Sequence, residues 1–325
     1  MTDPGMNFHD KVPKIPPRIL CIGIPVRDLT FRVNIVPGRG SKENATHLDE
    51  ICGGNALNAA IGIVRLGGRA SLCGPMGDVR EASSQFMFEK LAHEGIETNH
   101  LVRMPGLMTP MSAVMVDPGG ERTIVTFRDP ELWKVQLPDT ETLLDDCAAI
   151  LTESRCSDFC SDLCAEALRR GIPVIVDVDR AMPLQAGLFN ASSHLVFSNE
   201  PLQETAGVTD DAEALKKVAK LSKAFLAVTR GPRGTIWLDE NEAIQETPAF
   251  PVQAVDSLGA GDIFHGAFAL ALTEKQELRQ ALRFASAAAA LKCTRFGGAF
   301  AAPQRIEVEE LLSQRQAPNT SPAGH

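Results

Sequence analysis

"AAILTESRCSDFCSDLCAEALRRGIPVIVDVD", residues 148–179, holds a short apolar run, a longer segment at helical spacing, and a second apolar run. Neither AAIL nor IPVIV alternates polar with apolar residues. A strand that is apolar at successive positions has to be covered on both faces, and the stretch between the two runs, closing at Arg169-Arg170-Gly171, has the character of a helical crossover. The segment therefore reads as strand, helix, parallel strand. The pattern continues outward. "HLVFSN" (194–199) is a third strand, "DAEALKKVAKLS" (211–222) an amphipathic helix, and "AFLAVTRG" (224–231) a fourth strand. "TIWLDENEAIQETPAF" (235–250) interrupts with an antiparallel hairpin, and the last third, "GDIFHGAFALAL" (261–272) and "ELRQALRFASAAAALKC" (277–293), is helical. The implied fold class is α/β, a doubly wound and mainly parallel sheet flanked by helices.

The amino-terminal part reads differently. "RILCIGIPVRDLTFRV" (18–33) reads as one strand running out toward something polar, and Val33 to Ile51 is rich in turn formers. "AVMVDPGGERTIVTF" (113–127) is a hairpin around Asp117-Pro118-Gly119-Gly120. These pieces predict a small β-sheet lid built from about 27–52 and 109–130. The expected organisation is a flexible leader over 1–17, one α/β domain over 18–313, and a tail of disordered composition over 314–325.

Of the 325 residues 44% are apolar and 22% charged, with a net charge of −9, so a basic field for nucleic acid or an anionic membrane is absent. No apolar run approaches the roughly 20 residues of a bilayer span, and the start lacks a charged-then-apolar signal pattern. Eight cysteines show no disulfide-like framework, which points to a reducing, cytoplasmic setting. Cys156, Cys160 and Cys164 fall at helical spacing and read as small apolar residues on a buried face rather than as metal ligands.

"DSLGAGDIFHGAF" (256–268) carries the chemistry. A helix N-terminus presents unpaired N–H groups and a partial positive charge, and Gly259, Ala260 and Gly261 let those groups approach an anion unobstructed. Asp262 stands beside that anion site, where a carboxylate can take the proton of an alcohol attacking phosphorus. The alternative is that Asp262 only caps the helix. A second cluster, "CGGNALNAAIGIVRLGG" (52–68), sets Gly53 and Gly54 before a helix bearing Asn58; alone, it could be a tight strand-to-helix turn. Neither cluster is a P-loop or a dinucleotide fingerprint.

Together the two stretches resemble the paired signatures of the PfkB (ribokinase-like) carbohydrate kinases, over about Arg18 to Leu312. The resemblance implies that Asp262 is the catalytic base and that the 259–261 amides hold the anion. It implies that Asp28, Gly53, Gly54 and Asn58 bind sugar hydroxyls. "TRGPRG" (229–234) resembles the family's nucleotide loop, implying Thr229, Gly231 and Gly234 near ATP, and "RFASAAAALKCTRFGG" (283–298) implies Ser286 and Gly298 at the adenine pocket. Asp256 is implied as a ligand of a monovalent cation, K⁺, and Mg²⁺ is expected with the nucleotide.

Two departures stand out. The family's NxxE element, counted back from Gly207, falls on Ser198 and Pro201, with Asn199 and Glu200 one residue off. Relatives tend to have an acid after the strand AAILTES, where this chain carries Arg155; with Lys42 it suggests an anionic tail on the sugar, as in sulfofructose, although Thr126 replaces the Asn of that branch. His265 reads as a packed or capping imidazole. The resulting expectation is an ATP-dependent sugar kinase, dimeric through its lids. A nucleoside kinase and a non-catalytic sugar sensor are the alternatives.

Overall fold

The computed structural model describes residues 16–119 and 122–314. Along the chain run β1 (Arg18–Ile22), β2 (Val26–Arg32), β3 (His47–Gly53), α1 (Asn55–Arg65), β4 (Arg69–Met76), α2 (Ala82–His93), β5 (Glu97–Arg103), β6 (Met111–Val116) and β7 (Arg122–Phe127). Then come α3 (Thr140–Leu144), β8 (Cys147–Glu153), α4 (Ser157–Arg169), β9 (Val174–Val178), α5 (Gly187–Asn190), β10 (His194–Ser198), α6 (Asn199–Ala206), α7 (Asp211–Ala219) and β11 (Phe225–Thr229). The hairpin β12 (Thr235–Leu238) and β13 (Ile244–Thr247) leads into α8 (Ala260–Thr273), α9 (Leu278–Cys293) and α10 (Arg305–Gln314).

The main sheet has nine strands in the order β13-β12-β11-β10-β9-β8-β1-β4-β5. From β11 to β5 the neighbours are parallel, and β12 and β13 add an antiparallel edge. The inner strands are largely apolar because both faces are covered. Ile19 and Cys21 of β1 face the cluster built by α1, α8 and α9, while Leu20 and Ile22 face the cluster built by α4, α6 and α7. In β9, Ile175 points to the first cluster and Val174, Val176 and Val178 to the second. The crossover helix α4 buries Cys160 and Cys164 completely, and Cys156 just before it is equally buried, as the helical spacing of the three thiols predicts. Helix α7 is capped by Asp210, whose carboxylate accepts from the Glu213 N–H at 2.9 Å, and buries Ala214, Leu215 and Val218 along one stripe.

A second sheet of four strands, β3-β2-β6-β7, stands apart. Here the structure differs from the sequence reading. Residues 18–33 are not one strand: the chain turns at Gly23-Ile24-Pro25, so β1 lies in the main sheet and β2 in the small one. Proline cannot donate to a ladder, which makes this a natural break. The turn-rich stretch after Val33 nonetheless supplies β3, paired antiparallel to β2 along its whole length. The 113–127 hairpin is present as β6 and β7, its Gly120 lying outside the described residues, as do 1–15 of the expected leader and 315–325 of the expected tail. Among the described residues no helix is long and apolar enough to cross a membrane.

Candidate active site

The carboxyl ends of β1, β8, β9 and β10 open onto the amino ends of α1, α6 and α8, the place where open parallel sheets bind ligands. Helix α8 begins at Gly259, whose φ of +77° is the left-handed conformation that glycine adopts without penalty. Ala260, Gly261 and Asp262 form its first turn, and the Ala260 N–H donates to the Ser257 carbonyl at 3.2 Å. Gly261 is exposed, and a Cβ placed there would meet nothing within 4 Å. The rest of the helix, Ile263 through Ala271, is buried. The positive end of a firmly packed helix therefore points into solvent at the cleft.

Asp262 sits at the floor of that cleft, still touched by solvent but flanked by protein. Its Oδ2 accepts from Asn58 Nδ2 at 2.7 Å, across the packed pair α1 and α8. Burial, and after it the neighbouring Asp177 carboxylate, push the Asp262 carboxyl up to about 7, against the opposing pull of the Asn58 amide. Asp177 itself is raised by burial and by Asp179, and it accepts from Asn55 Nδ2 at 3.1 Å. His265 is buried with Nδ1 2.7 Å from the Gly261 carbonyl and Nε2 3.5 Å from Asp177, and burial lowers its pKa. It is a packed imidazole, as expected from its place one turn into the helix.

The acceptor side is built by the small sheet. The register places Asp28, Ser112 and Thr126 directly opposite one another on β2, β6 and β7. Ser112 bonds to both neighbours, being 3.1 Å from the Thr126 hydroxyl and hydrogen-bonded to the Asp28 carboxyl. Burial raises Asp28 to about 6, with Ser112 and the charge of Arg128 acting the other way. A Cβ on Gly53 would lie 2.1 Å from Asp28 Oδ2, so the aspartate can fold over this position only because it is glycine. Gly54 follows as the N-cap of α1.

Arg155 and Lys42 differ in setting: Lys42 lies in the exposed loop between β2 and β3, whereas Arg155 is half-buried. Arg155 is committed: its Nε donates to Glu153 at 2.7 Å, and its Nη2 reaches Asp179 at 3.2 Å and the Asn55 side-chain carbonyl at 3.2 Å. An acid nonetheless stands beside Arg155. Glu153, the last residue of β8, is the acid, opposite Asp177 in the β8–β9 register and raised by burial. Arg128, whose pKa burial lowers, lies within electrostatic range of Asp28, Glu153, Arg155 and Arg180.

On the other side, Thr229 ends β11 and its hydroxyl donates to the Phe197 carbonyl at 3.3 Å. Gly231 and Gly234 bracket the turn into β12 with φ of +55° and +81°. Ser286 is buried on α9, and Gly298 donates its N–H to Asp256 Oδ2 at 3.2 Å. Asp256 also receives the Lys292 ammonium, 2.7 Å from its carbonyl and 3.0 Å from Oδ2. Asn199 is the first residue of α6 and its amide is bonded to Asp211, Glu200 is exposed, and the next turn brings Pro201 and the buried Leu202. Sequence reasoning missed Asn55, Ser112, Arg128, Glu153, Asp177, Asp179 and Lys292. Glu153 and Asp177 had a signal: each is an acid at or near the end of an apolar run.

The profile of the pfkB family carbohydrate kinases matches residues 16–305. The chain belongs to this family. Among curated pfkB-type relatives, the ribokinase of Bacillus subtilis is 26% identical over 297 residues, spanning 91% of this chain and 99% of its own. The fructokinase of Vibrio alginolyticus is 26% identical over 312 residues, spanning 87% and 96%. In three dimensions, a protein of Agrobacterium tumefaciens provisionally described as a ribokinase superposes with a TM-score of 0.87 at 36% identity, covering 93% of this chain and 99% of its own. The ribokinase of Thermotoga maritima gives 0.78 at 25% identity, with 91% and 99% covered. The fold is thus the ribokinase-like α/β fold with its separate small sheet, and this pfkB chain is a carbohydrate kinase, a phosphotransferase with an alcohol acceptor.

Proposed function

We propose that the protein transfers the γ-phosphoryl group of ATP to a hydroxyl of a monosaccharide, with Asp262 as the base. The observation that carries this reading is the Asp262 carboxylate in the first turn of α8, oriented by Asn58 and poised near neutrality by burial. A base of that strength is half ionised where cells operate and can take up a proton as the O–P bond forms. The helix mouth at Gly259 and Gly261 would face the charge that develops on the transferring group, the Ala260 N–H being already bonded to the Ser257 carbonyl. Asp28, with Ser112 and Thr126 in one row, and the Gly53-Gly54 turn offer the acceptors and donors that vicinal hydroxyls require. The nucleotide would lie along the Thr229–Gly234 turn toward Ser286 and Gly298. Mg²⁺ would be carried in by the phosphates and water, since among the described residues no cluster of three potential ligands exists.

A second reading concerns the sugar. Arg128 near Arg155 and Arg180 favours an acceptor with an anionic tail, such as sulfofructose, read by Arg128 rather than by the committed Arg155. ADP release with ribose, fructose, sulfofructose, phosphosugars, deoxy-keto acids and adenosine tests the whole reading. Turnover of adenosine alone would make this a nucleoside kinase, and binding of a sugar with no ADP formed would make it a sensor. Two further features belong to the proposal. The small sheet exposes Leu48, Ile124, Val125 and Phe127, which supports a homodimer through the lids, checked by light scattering. All eight cysteines are unpaired, which supports a reducing compartment.

A further inference from the structure

Lys292 has no place in the chemistry described so far, and its position is costly. It is fully buried on the last turn of α9, in a run otherwise made of alanine and leucine. Burying an ammonium is favourable only where oxygens replace its water, and a lone lysine gains nothing there as a packing residue. Asp256 supplies two oxygens, its carbonyl at 2.7 Å and Oδ2 at 3.0 Å. The same carboxylate accepts from the Gly298 N–H at 3.2 Å through Oδ2 and from the Leu258 N–H at 2.9 Å through Oδ1. The Val255 and Asp256 N–H groups both donate to the Cys293 carbonyl, at 2.7 and 3.1 Å. Lys292 thus ties the end of α9 and the Gly298 turn to the loop that runs directly into Gly259, the start of α8.

Carbonyl and carboxylate oxygens gathered around one positive charge are what a monovalent metal ion would use, and the family resemblance implies Asp256 as a ligand of such an ion. The structure does not fit such an ion there. The ammonium, a compact point charge with three donors, already stands against both Asp256 oxygens, and a metal cation beside it would meet like-charge repulsion at contact distance.

We infer that Lys292 is a built-in monovalent cation, a positioning residue that holds the 255–259 loop and Gly298 against α8 and makes the kinase independent of potassium. The inference rests on the carbohydrate-kinase reading of the anion loop, but two of its three tests need no sugar. In chloride salts of potassium, sodium and tetramethylammonium at equal ionic strength, wild-type ADP release, Mg·ADP affinity and melting temperature each stay constant within about twofold or its thermal equivalent. Lys292→Ala removes the ammonium and opens room for an ion. In sodium or tetramethylammonium its Mg·ADP affinity and turnover fall at least ~10-fold, and potassium restores most of the loss and raises its melting temperature. Activation of the wild type by potassium, in turnover or in Mg·ADP affinity, overturns the inference. So does a folded Lys292→Ala whose losses are the same in all three salts, because a packing role would leave the salt response flat. Should Lys292→Ala not fold, Lys292→Arg replaces it: it keeps the charge and stays potassium-independent, and potassium activation of that variant counts against the inference. If no sugar is turned over by any form, the function proposed above fails while Mg·ADP affinity and melting temperature still decide this point.

Discussion

Asp262→Asn separates what this carboxylate does for turnover from what it costs the fold. Burial, with Asp177 close by, raises its pKa from 3.8 to about 7. A raised acid binds its proton more tightly in the folded state, so its contribution to stability is complete below 3.8 and is lost as pH climbs toward 7. The full shift corresponds to ~4 kcal/mol, and solvent contact at the cleft floor reduces this to about 2 kcal/mol. Asparagine preserves the shape and can still accept the Asn58 amide through its carbonyl, but it carries no charge to desolvate. The variant is therefore expected to melt higher than wild type at pH 8, by about 4 °C for ~2 kcal/mol in a chain of this size. The gain should shrink on going from pH 7 toward pH 4 and vanish below. Turnover should fall by ~10²-fold or more while sugar and nucleotide still bind. Paired melting curves across that pH range and an ADP-release assay check both halves. Near-normal turnover, or a loss of stability at pH 8, would refute the reasoning.

Gly261→Val puts a branched side chain where the helix mouth faces solvent, so turnover should drop by ~10-fold or more with the melting temperature unchanged; equal turnover would remove these amides from the mechanism. Asp28→Asn removes a negative acceptor but keeps the Ser112 bond possible, and should raise KM for the sugar by about tenfold with a smaller effect on kcat; a change confined to kcat would contradict a binding role. Arg155→Met leaves Glu153 and Asp179 without their counter-charge and should cost ~3–5 kcal/mol by denaturant unfolding. A loss below about 1 kcal/mol would mean the acids are already protonated in the native state.

Much of this was legible because it is local. Apolar runs separated by helical segments predict the parallel sheet, and β8 through β11 are where those runs lie. The small residues before Asp262 announce an exposed helix mouth without any tertiary information. What escaped is set by register or by packing between distant segments. Glu153 meets Asp177 only because β8 and β9 align them, and Asp28, Ser112 and Thr126 form a row only across three strands from separate parts of the chain. Arg155 looked free because its partners Asn55 and Asp179 are remote or unremarkable in sequence. Lys292, inside an alanine-rich helix, reads as a surface lysine by every ordinary expectation, and only its complete burial reveals otherwise. The single strand expected over 18–33 failed at Pro25, a residue whose ladder-breaking nature could have been weighed.

That break at Gly23-Ile24-Pro25 has a consequence for selectivity against water. Asp28 rides on the small sheet and Asp262 on the main body, so the two carboxylates are mounted on separate frames joined at this side by three residues. On the roles proposed above, an acceptor with a hydroxyl at each end would bridge the two frames, which a lone water would not, so the arrangement would gauge the acceptor's length before a nucleotide is spent.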